Sequence, residues 1–334
     1  MLARHAESLF WTGRYVERAE DTARMLDVTY HGLLEAAPYE AERAWRDLLA
    51  VLRLESVFDA RGWGVDAVSV SEFLVLDDDN PGSIIASVAN ARENVRTVRE
   101  LIPTELWESI NRFHLDLRAR NLRADLEQQP YVLYGAVKRG CQSVAGVASE
   151  TMPRDDGWRF LQLGWMLERA EMTCRLLDVQ YAATASGHAG DGDRDGDRGP
   201  ASFHHWSSTL KSASASEAYR KAFRSSMEVA DVVDFLLLSE TFPRSVLFCL
   251  RRAETDLARL DPNQSRLSRP RRLLGRVRAD LEYRDLHEVL ADGLHPFLDG
   301  LQRSVRQVAE AVALQYFRNS QEFAVHALDF HPAG

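Results

Sequence analysis

The strongest constraint on the fold is that the chain resembles itself. Residues 13–30 read Gly-Arg-Tyr-Val-Glu-Arg-Ala-Glu-Asp-Thr-Ala-Arg-Met-Leu-Asp-Val-Thr-Tyr, and residues 164–181 read Gly-Trp-Met-Leu-Glu-Arg-Ala-Glu-Met-Thr-Cys-Arg-Leu-Leu-Asp-Val-Gln-Tyr. At an offset of 151, Gly13, Glu17, Arg18, Ala19, Glu20, Thr22, Arg24, Leu26, Asp27, Val28 and Tyr30 recur without a gap. A second stretch repeats at offset 162: Phe73, Leu74, Leu76, Pro81, Ser83 and Ala91 answer Phe235, Leu236, Leu238, Pro243, Ser245 and Ala253. A fainter third, at offset 165, matches Leu133, Gly135 and Gln142 to Leu298, Gly300 and Gln307. Self-similarity at a fixed spacing marks a repeated structural unit. The expectation is two tandem copies, 1–151 and 152–325, with a tail over 326–334. The offset grows because of the Gly/Asp-rich run 186–200, which reads as a solvated loop. Its alternating aspartates resemble a calcium loop but lack the closing glutamate at the twelfth position.

Each copy reads as helical. Apolar residues recur at helical spacing, and no sustained strand alternation appears. Helices are expected near 4–35, 42–60, 67–76, 82–101, 104–124, 130–150, 157–184, 202–212, 216–238, 244–259, 268–283 and 286–319. Asn80-Pro81 and Phe242-Pro243 are expected to place proline in a first helical turn. The fold class is therefore all-α, two multi-helix copies packed as a pseudo-twofold bundle. Trp45 and Trp206, matched at offset 161, are expected in the core.

On a helical wheel Gly13, Glu17, Glu20, Arg24 and Asp27 share one stripe, as do Gly164, Glu168, Glu171, Arg175 and Asp178. Arg18 and Arg169 point away from it. A solvated face would not need the same identities in both copies, so the stripe is expected to be at least partly buried, where the opening helices meet. Buried carboxylates need paired cations. Glu17, Glu20, Glu168 and Glu171 are the candidate acids or bases; the competing reading is a structural ion network. Carboxylate-bridged metal bundles use Glu-x-x-His. No histidine stands there, and the interleaved arginines would repel a cation, so no metal is expected. No phosphate loop, nucleophile elbow or dinucleotide fingerprint occurs, so no cofactor is expected.

Charge and composition narrow the partners. With 41 basic and 50 acidic residues the net charge is −9, which argues against general nucleic-acid binding. Local basic patches exist at Arg118, Arg120 and Arg123, and more densely over Arg266, Arg269, Arg271, Arg272, Arg276 and Arg278. The dense patch reads as a solvated face or a docking surface for an acidic partner. No apolar run is long enough to cross a membrane, and the first residues lack the apolar stretch of a secretion signal. Cys141, Cys174 and Cys249 are scattered and fit free buried thiols in a reducing cytoplasm.

Leu9-Phe10-Trp11-Thr12-Gly13-Arg14-Tyr15-Val16-Glu17-Arg18-Ala19-Glu20, with Asp79-Asn80-Pro81-Gly82-Ser83 and Ala91-Arg92-Glu93-Asn94, resembles the bacterial alpha-E family, a helical domain with an ER motif. The motif here is Glu17-Arg18, echoed by Glu168-Arg169. In the second copy Arg251-Arg252-Ala253-Glu254 departs from the later part of the pattern. The resemblance implies a partner: such proteins are typically encoded beside, or fused to, a circularly permuted ATP-grasp protein, often with a transglutaminase-like protein. The leading expectation is a non-catalytic subunit of an ATP-grasp peptide or amide ligase system. One alternative is an enzyme of the same pathway, with the stripe as acid, base and substrate clamp. Another is a dimerising, homo-oligomeric scaffold that binds acidic polymer or nucleic acid through the Arg266–Arg278 patch. Beside the four glutamates, the ligand or partner-binding candidates are Arg14, Arg18, Arg24, Asp27, Asn80, Arg92, Asn94, Arg169, Arg175 and Asp178.

Overall fold

The computed structural model describes residues 1–34, 38–187, 200–223, 227–261 and 267–317. Among these the regular structure is entirely helical: sixteen α-helices, one 3₁₀ turn and no strand. The first eight are α1 (Ala3–Gly32), α2 (Pro38–Leu52), α3 (Glu55–Asp59), α4 (Ala67–Val75), α5 (Ile84–Thr97), α6 (Thr104–Ala119), α7 (Leu122–Gln128) and α8 (Pro130–Thr151). The remaining eight are α9 (Asp156–Gly187), α10 (Pro200–Ser212), α11 (Ser216–Ala222), α12 (Val229–Leu238), α13 (Val246–Leu260), α14 (Arg269–Glu282), α15 (Leu286–Asp292) and α16 (Leu294–Tyr316). Most of the Gly/Asp-rich run, the whole 326–334 tail and Arg266 lie outside the described residues.

Four of the expected long helices are each broken in two. The 42–60 segment breaks at Arg53, whose φ of 57° is left-handed and cannot continue an α-helix. The 286–319 segment breaks at Gly293, at φ 102°. Asn121 ends the 104–124 run by capping α7, its side chain accepting from the Ala124 amide at 3.4 Å. The 216–238 run separates into α11 and α12. The two prolines expected in first turns instead sit in the turns ahead of α5 and α13. Those helices start at serine caps, Ser83 accepting from Ala86 N (3.1 Å) and Ser245 from Phe248 N (3.2 Å).

At the centre α1 packs along α9. Residues 9–26 of α1 are buried without interruption. Over these residues α1 has no solvent face, and its polar stripe must find partners inside the protein. The helices touch at two glycines. A methyl group added at Gly13 would overlap the Leu161 carbonyl, and one added at Gly164 would overlap the Phe10 carbonyl. With no Cβ at either place the two backbones meet directly. Around this pair α5 and α8 pack on α1, while α13 and α16 pack on α9. The second helices also cross over: α2 lies on α9 and α10 on α1. Trp45 and Trp206 are buried, as expected, in those two crossing helices.

Candidate functional site: a buried Glu-Arg lattice

The two Glu-Arg dipeptides pair crosswise. Arg169 donates from Nε and Nη2 to the two carboxylate oxygens of Glu17 at 2.8 and 2.7 Å. Arg18 does the same to Glu168, at 2.7 and 3.1 Å. Both are two-pronged guanidinium–carboxylate pairs, the geometry that planar guanidinium favours. Each motif thus holds the other helix rather than its own. Arg18 and Arg169 do leave the stripe of their own helix, as the wheel indicates. They are not turned to solvent; they enter the stripe of the opposite helix.

The rest of the stripe completes a lattice. Glu20 is paired with Arg24, which also donates to Asp21 at 2.7 Å. Arg175 lies 3.3 Å from Glu171. Arg14 reaches across to Glu168 at 2.5 Å and to Glu171, beneath the rings of Phe10 and Trp11. Arg244, from the turn before α13, donates to Glu17 and Asp21 at 2.7 Å each and to Glu20 at 3.2 Å. Arg244 escapes a sequence reading centred on the opening helices. The available signal is that Pro243-Arg244-Ser245 matches Pro81-Gly82-Ser83 except for a charge in a turn.

Further along, Asp27 pairs with Lys138 of α8 at 2.5 Å and Asp178 with His295 of α16 at 2.5 Å. Gln142 donates to Glu20 at 3.3 Å. The remaining candidates sit elsewhere and make no hydrogen bond or ion pair to the lattice among the described residues. Asn80 is a buried loop clamp, its amide donating to the Phe73 carbonyl and its oxygen accepting from Gly82 N, both at 3.0 Å. Arg92 turns to α6, donating to Asn111 at 2.7 Å beside Trp107. The Asn94 carbonyl accepts from the Thr97 hydroxyl.

The electrostatics follow from this pairing. Burial alone would raise the pKa of Glu17, but Arg169 and Arg244 overcome it and hold it at about 2. Glu171 is likewise held at about 2, burial being outweighed by Arg14 and Arg175. Glu168 is lowered against burial by Arg14 and Arg18. Asp21 goes the other way. Its burial, with Glu17 and Glu20 close by, outweighs Arg244 and Arg24 and pushes it up to about 6. The three cysteines are free and buried, and burial pushes Cys249 up to about 12. Among the described residues no group of three or more His, Cys, Asp or Glu could hold a metal ion.

In the dense arginine patch, Arg278 pairs with Glu254 at 2.6 Å and with Glu282, whereas Arg269, Arg272 and Arg276 are exposed. Arg120 and Arg123 of the smaller patch pair with Asp125 at 3.0 Å and Glu72 at 3.1 Å. No described helix is long and apolar enough to cross a membrane.

An all-helical protein whose two central helices are clasped by crosswise Glu-Arg pairs is the class that this fold and site define. The chain belongs to the Alpha-E family, described as a predicted alpha-helical domain with a conserved ER motif, whose model matches residues 1–317. It is similar to uncharacterized proteins of Mycobacterium bovis and of Mycobacterium tuberculosis strains CDC 1551 and H37Rv. Each is 30 % identical over 332 residues, covering 91 % of this chain and 36 % of the relative. The chain thus spans about a third of the length of these curated relatives. No solved structure matches.

Proposed function

We propose that the protein is a non-catalytic helical subunit that works joined to an ATP-grasp-type peptide or amide ligase, alongside a transglutaminase-like protein. It is built of two copies, 1–151 and 152–325, packed about a pseudo-twofold axis. The reciprocal contacts support that symmetry: Gly13 on Leu161 against Gly164 on Phe10, and Glu17–Arg169 against Glu168–Arg18.

The observation that carries the non-catalytic reading is saturation of the glutamates. Glu17 accepts from Arg169 twice and from Arg244, and Glu168 from Arg14 once and Arg18 twice. A general acid or base needs a pKa near the working pH and an open lone pair or proton. Glu17 and Glu171, held at about 2 by guanidiniums, are ionised and engaged. The lattice fixes the angle between the two halves, and the outer helices then present a rigid surface to a partner. The partner reading is supported by the relatives, in which nearly two thirds of each chain lies outside the matched unit. The ligase as that partner comes from the ER-motif resemblance.

Co-expression with an ATP-grasp protein encoded in the same genome tests this. The expected results are a stable complex on gel filtration and ligase turnover that falls when this subunit is left out. Absence of a complex, with turnover unchanged by its omission, would overturn the proposal. The acid-base alternative makes the opposite demand, that Glu17→Gln abolish turnover in a complex that still assembles.

A further inference from the structure

Beside the turn that carries Arg244, an open cavity of about 540 Å³ lies between α11, α12 and residues 239–243. Its apolar wall is aromatic. Phe235 stacks on Phe242 with ring centroids 4.9 Å apart, and Phe223 meets Phe235 edge-on at 6.2 Å. The turn behind that wall is held in place. The Ser239 hydroxyl accepts from Phe242 N at 3.2 Å, and the Pro243 carbonyl accepts from Arg169 of the lattice at 3.3 Å. The volume falls in the range of small-ligand sites, which bury an apolar body and orient it with a few polar groups.

Asp234 of α12 is such a group in the lining. It is half-buried and makes no hydrogen bond or ion pair among the described residues. Burial, with Asp231 one turn before it, pushes its carboxyl up. Lys221 also lines the cavity, but it is exposed and forms no ion pair among the described residues, so the carboxylate stays uncompensated. The first half of the chain treats the same position differently. At offset 162 Asp234 answers Glu72, next to the matched Phe73 and Phe235, and Glu72 has Arg123 at 3.1 Å. Phe242 answers Asn80, which is engaged as the loop clamp. Where the first half has a paired acid and a hydrogen-bonded amide, the second has an unpaired acid and another phenyl ring.

We propose that this cavity binds a small ligand with an ammonium group on an apolar body, the ammonium on Asp234 and the body against Phe223, Phe235 and Phe242. A cation suits both parts of the lining: it compensates the carboxylate, and it is attracted to the face of an aromatic ring. An anionic or neutral ligand would leave the half-buried charge without a counterion. The site lies wholly within this chain and goes beyond the ligase reading, so its test needs no partner protein.

Calorimetric titration of the full chain with phenethylamine tests the site, with hydrocinnamate and phenethyl alcohol as the matched anion and neutral probe. The amine is expected to bind and to raise Tm with concentration. In Asp234→Asn its affinity should fall about tenfold or more, the scale of one lost hydrogen bond to a charged group. The unliganded variant should match or exceed the wild-type Tm, because it removes a half-buried charge with no partner; that separates loss of the site from loss of the fold. Glu72→Gln, at the matched position of the first half, should bind as wild type does. The proposal fails if the amine does not bind, or if the anion or the alcohol binds as well as the amine. It fails equally if Asp234→Asn binds unchanged or if Glu72→Gln loses as much.

Discussion

The two sides of the central lattice share a plan and differ in how they close. On the first side Glu17, Glu20 and Asp21 face Arg24, Arg169 and Arg244, three carboxylates against three guanidiniums. On the second, Glu168 and Glu171 face Arg14, Arg18 and Arg175, with Arg53 and Arg306 close by. The extra cation comes from a different element on each side. Arg244 replaces Gly82 of the matching turn, and Arg14 replaces Trp165 of the matching helix. The Glu-Arg cross-pair and the bare glycine are common to both sides, so these are what joining the helices requires. The closure is where the two sides differ.

The largest effect is expected where the backbones touch. Gly13→Leu or Gly164→Leu must displace a main-chain carbonyl of the opposite helix, which cannot rotate away as a side chain can. Stability should fall by more than about 3 kcal/mol, beyond the usual range of overpacking. The readout is the urea midpoint, or failure to recover folded protein. Wild-type stability in either variant would show that the helices are free to separate at the glycines, and the tie between the sides would then rest on the ion pairs alone.

Next come the cross-pairs. Removing one partner of a buried pair strands a charge and costs about 3–5 kcal/mol. Glu17→Ala and Glu168→Ala should both fall in that range, since each removes a carboxylate that two arginines share. Replacing both members of a pair with Met should cost less than the single truncation. The second side should tolerate the double change worse, because loss of Glu168 leaves Arg14 paired with Glu171, whereas loss of Glu17 leaves Arg244 paired with both Glu20 and Asp21. Chemical denaturation of the four variants reads this. Equal penalties on both sides would remove the third carboxylate of the first side as a distinguishing feature.

Much of this was legible in the sequence, and the remainder was hidden for a definite reason. The doubled stripe Gly13, Glu17, Glu20, Arg24 and Asp27 marked the two central helices and their mutual contact. All-helical content followed from periodicity. A wheel describes one helix at a time and divides it into inside and outside. α1 is buried all round from residue 9 to 26, so that division does not apply to it. Arg18 and Arg169 therefore fell off the stripe of their own helix, and the wheel could not show that they clasp the opposite one. Arg244 and Arg53 were missed because neither lies in a helix: one enters from a turn, and the other follows a helix that periodicity alone would have continued. Asn80, Arg92 and Asn94 entered with the family signature. A signature records what the fold needs as well as what a site needs, and Asn80 is buried as a loop clamp.

The two sides should also part in acid. Glu17 and Glu171 sit at about 2 in the folded protein against an ordinary value near 4.5. A depressed carboxyl stabilises the fold above its unfolded pKa and loses that contribution as pH falls through the folded one. Stability should therefore drop steeply between about pH 4.5 and 2, with an unfolding midpoint that moves to higher pH in Arg244→Gln, which weakens only the Glu17 side. A flat profile through that window would mean that the carboxylates are not held by their arginines.

The smallest effect is the most discriminating, because it concerns the one position where the stripe itself differs, Asp21 against Met172. Asp21 is raised to about 6 from an ordinary 3.8. Its sign is opposite to that of Glu17: its contribution is full below about pH 4 and is lost as pH rises through 6. Two 2.7 Å ion pairs would suggest that Asp21→Asn is costly at pH 7. The raised pKa says otherwise, because the buried charge is barely compensated there. The expected change at neutral pH is under about 1 kcal/mol, well below the cost of breaking a compensated buried pair. Between pH 4 and 6 the variant should lose the decline in stability that wild type shows. The reciprocal change, Met172→Asp, places a carboxylate three residues before Arg175, as Asp21 lies before Arg24. There it has Glu168 and Glu171 at the spacing that Glu17 and Glu20 have beside Asp21, and the nearby charges of Arg53 and Arg306 in addition, so its pKa should fall below the ordinary range. A titration of that carboxyl by NMR decides it. A raised pKa at residue 172 would mean that burial rules both sides alike, and that the arginine excess of the second side has no field of its own.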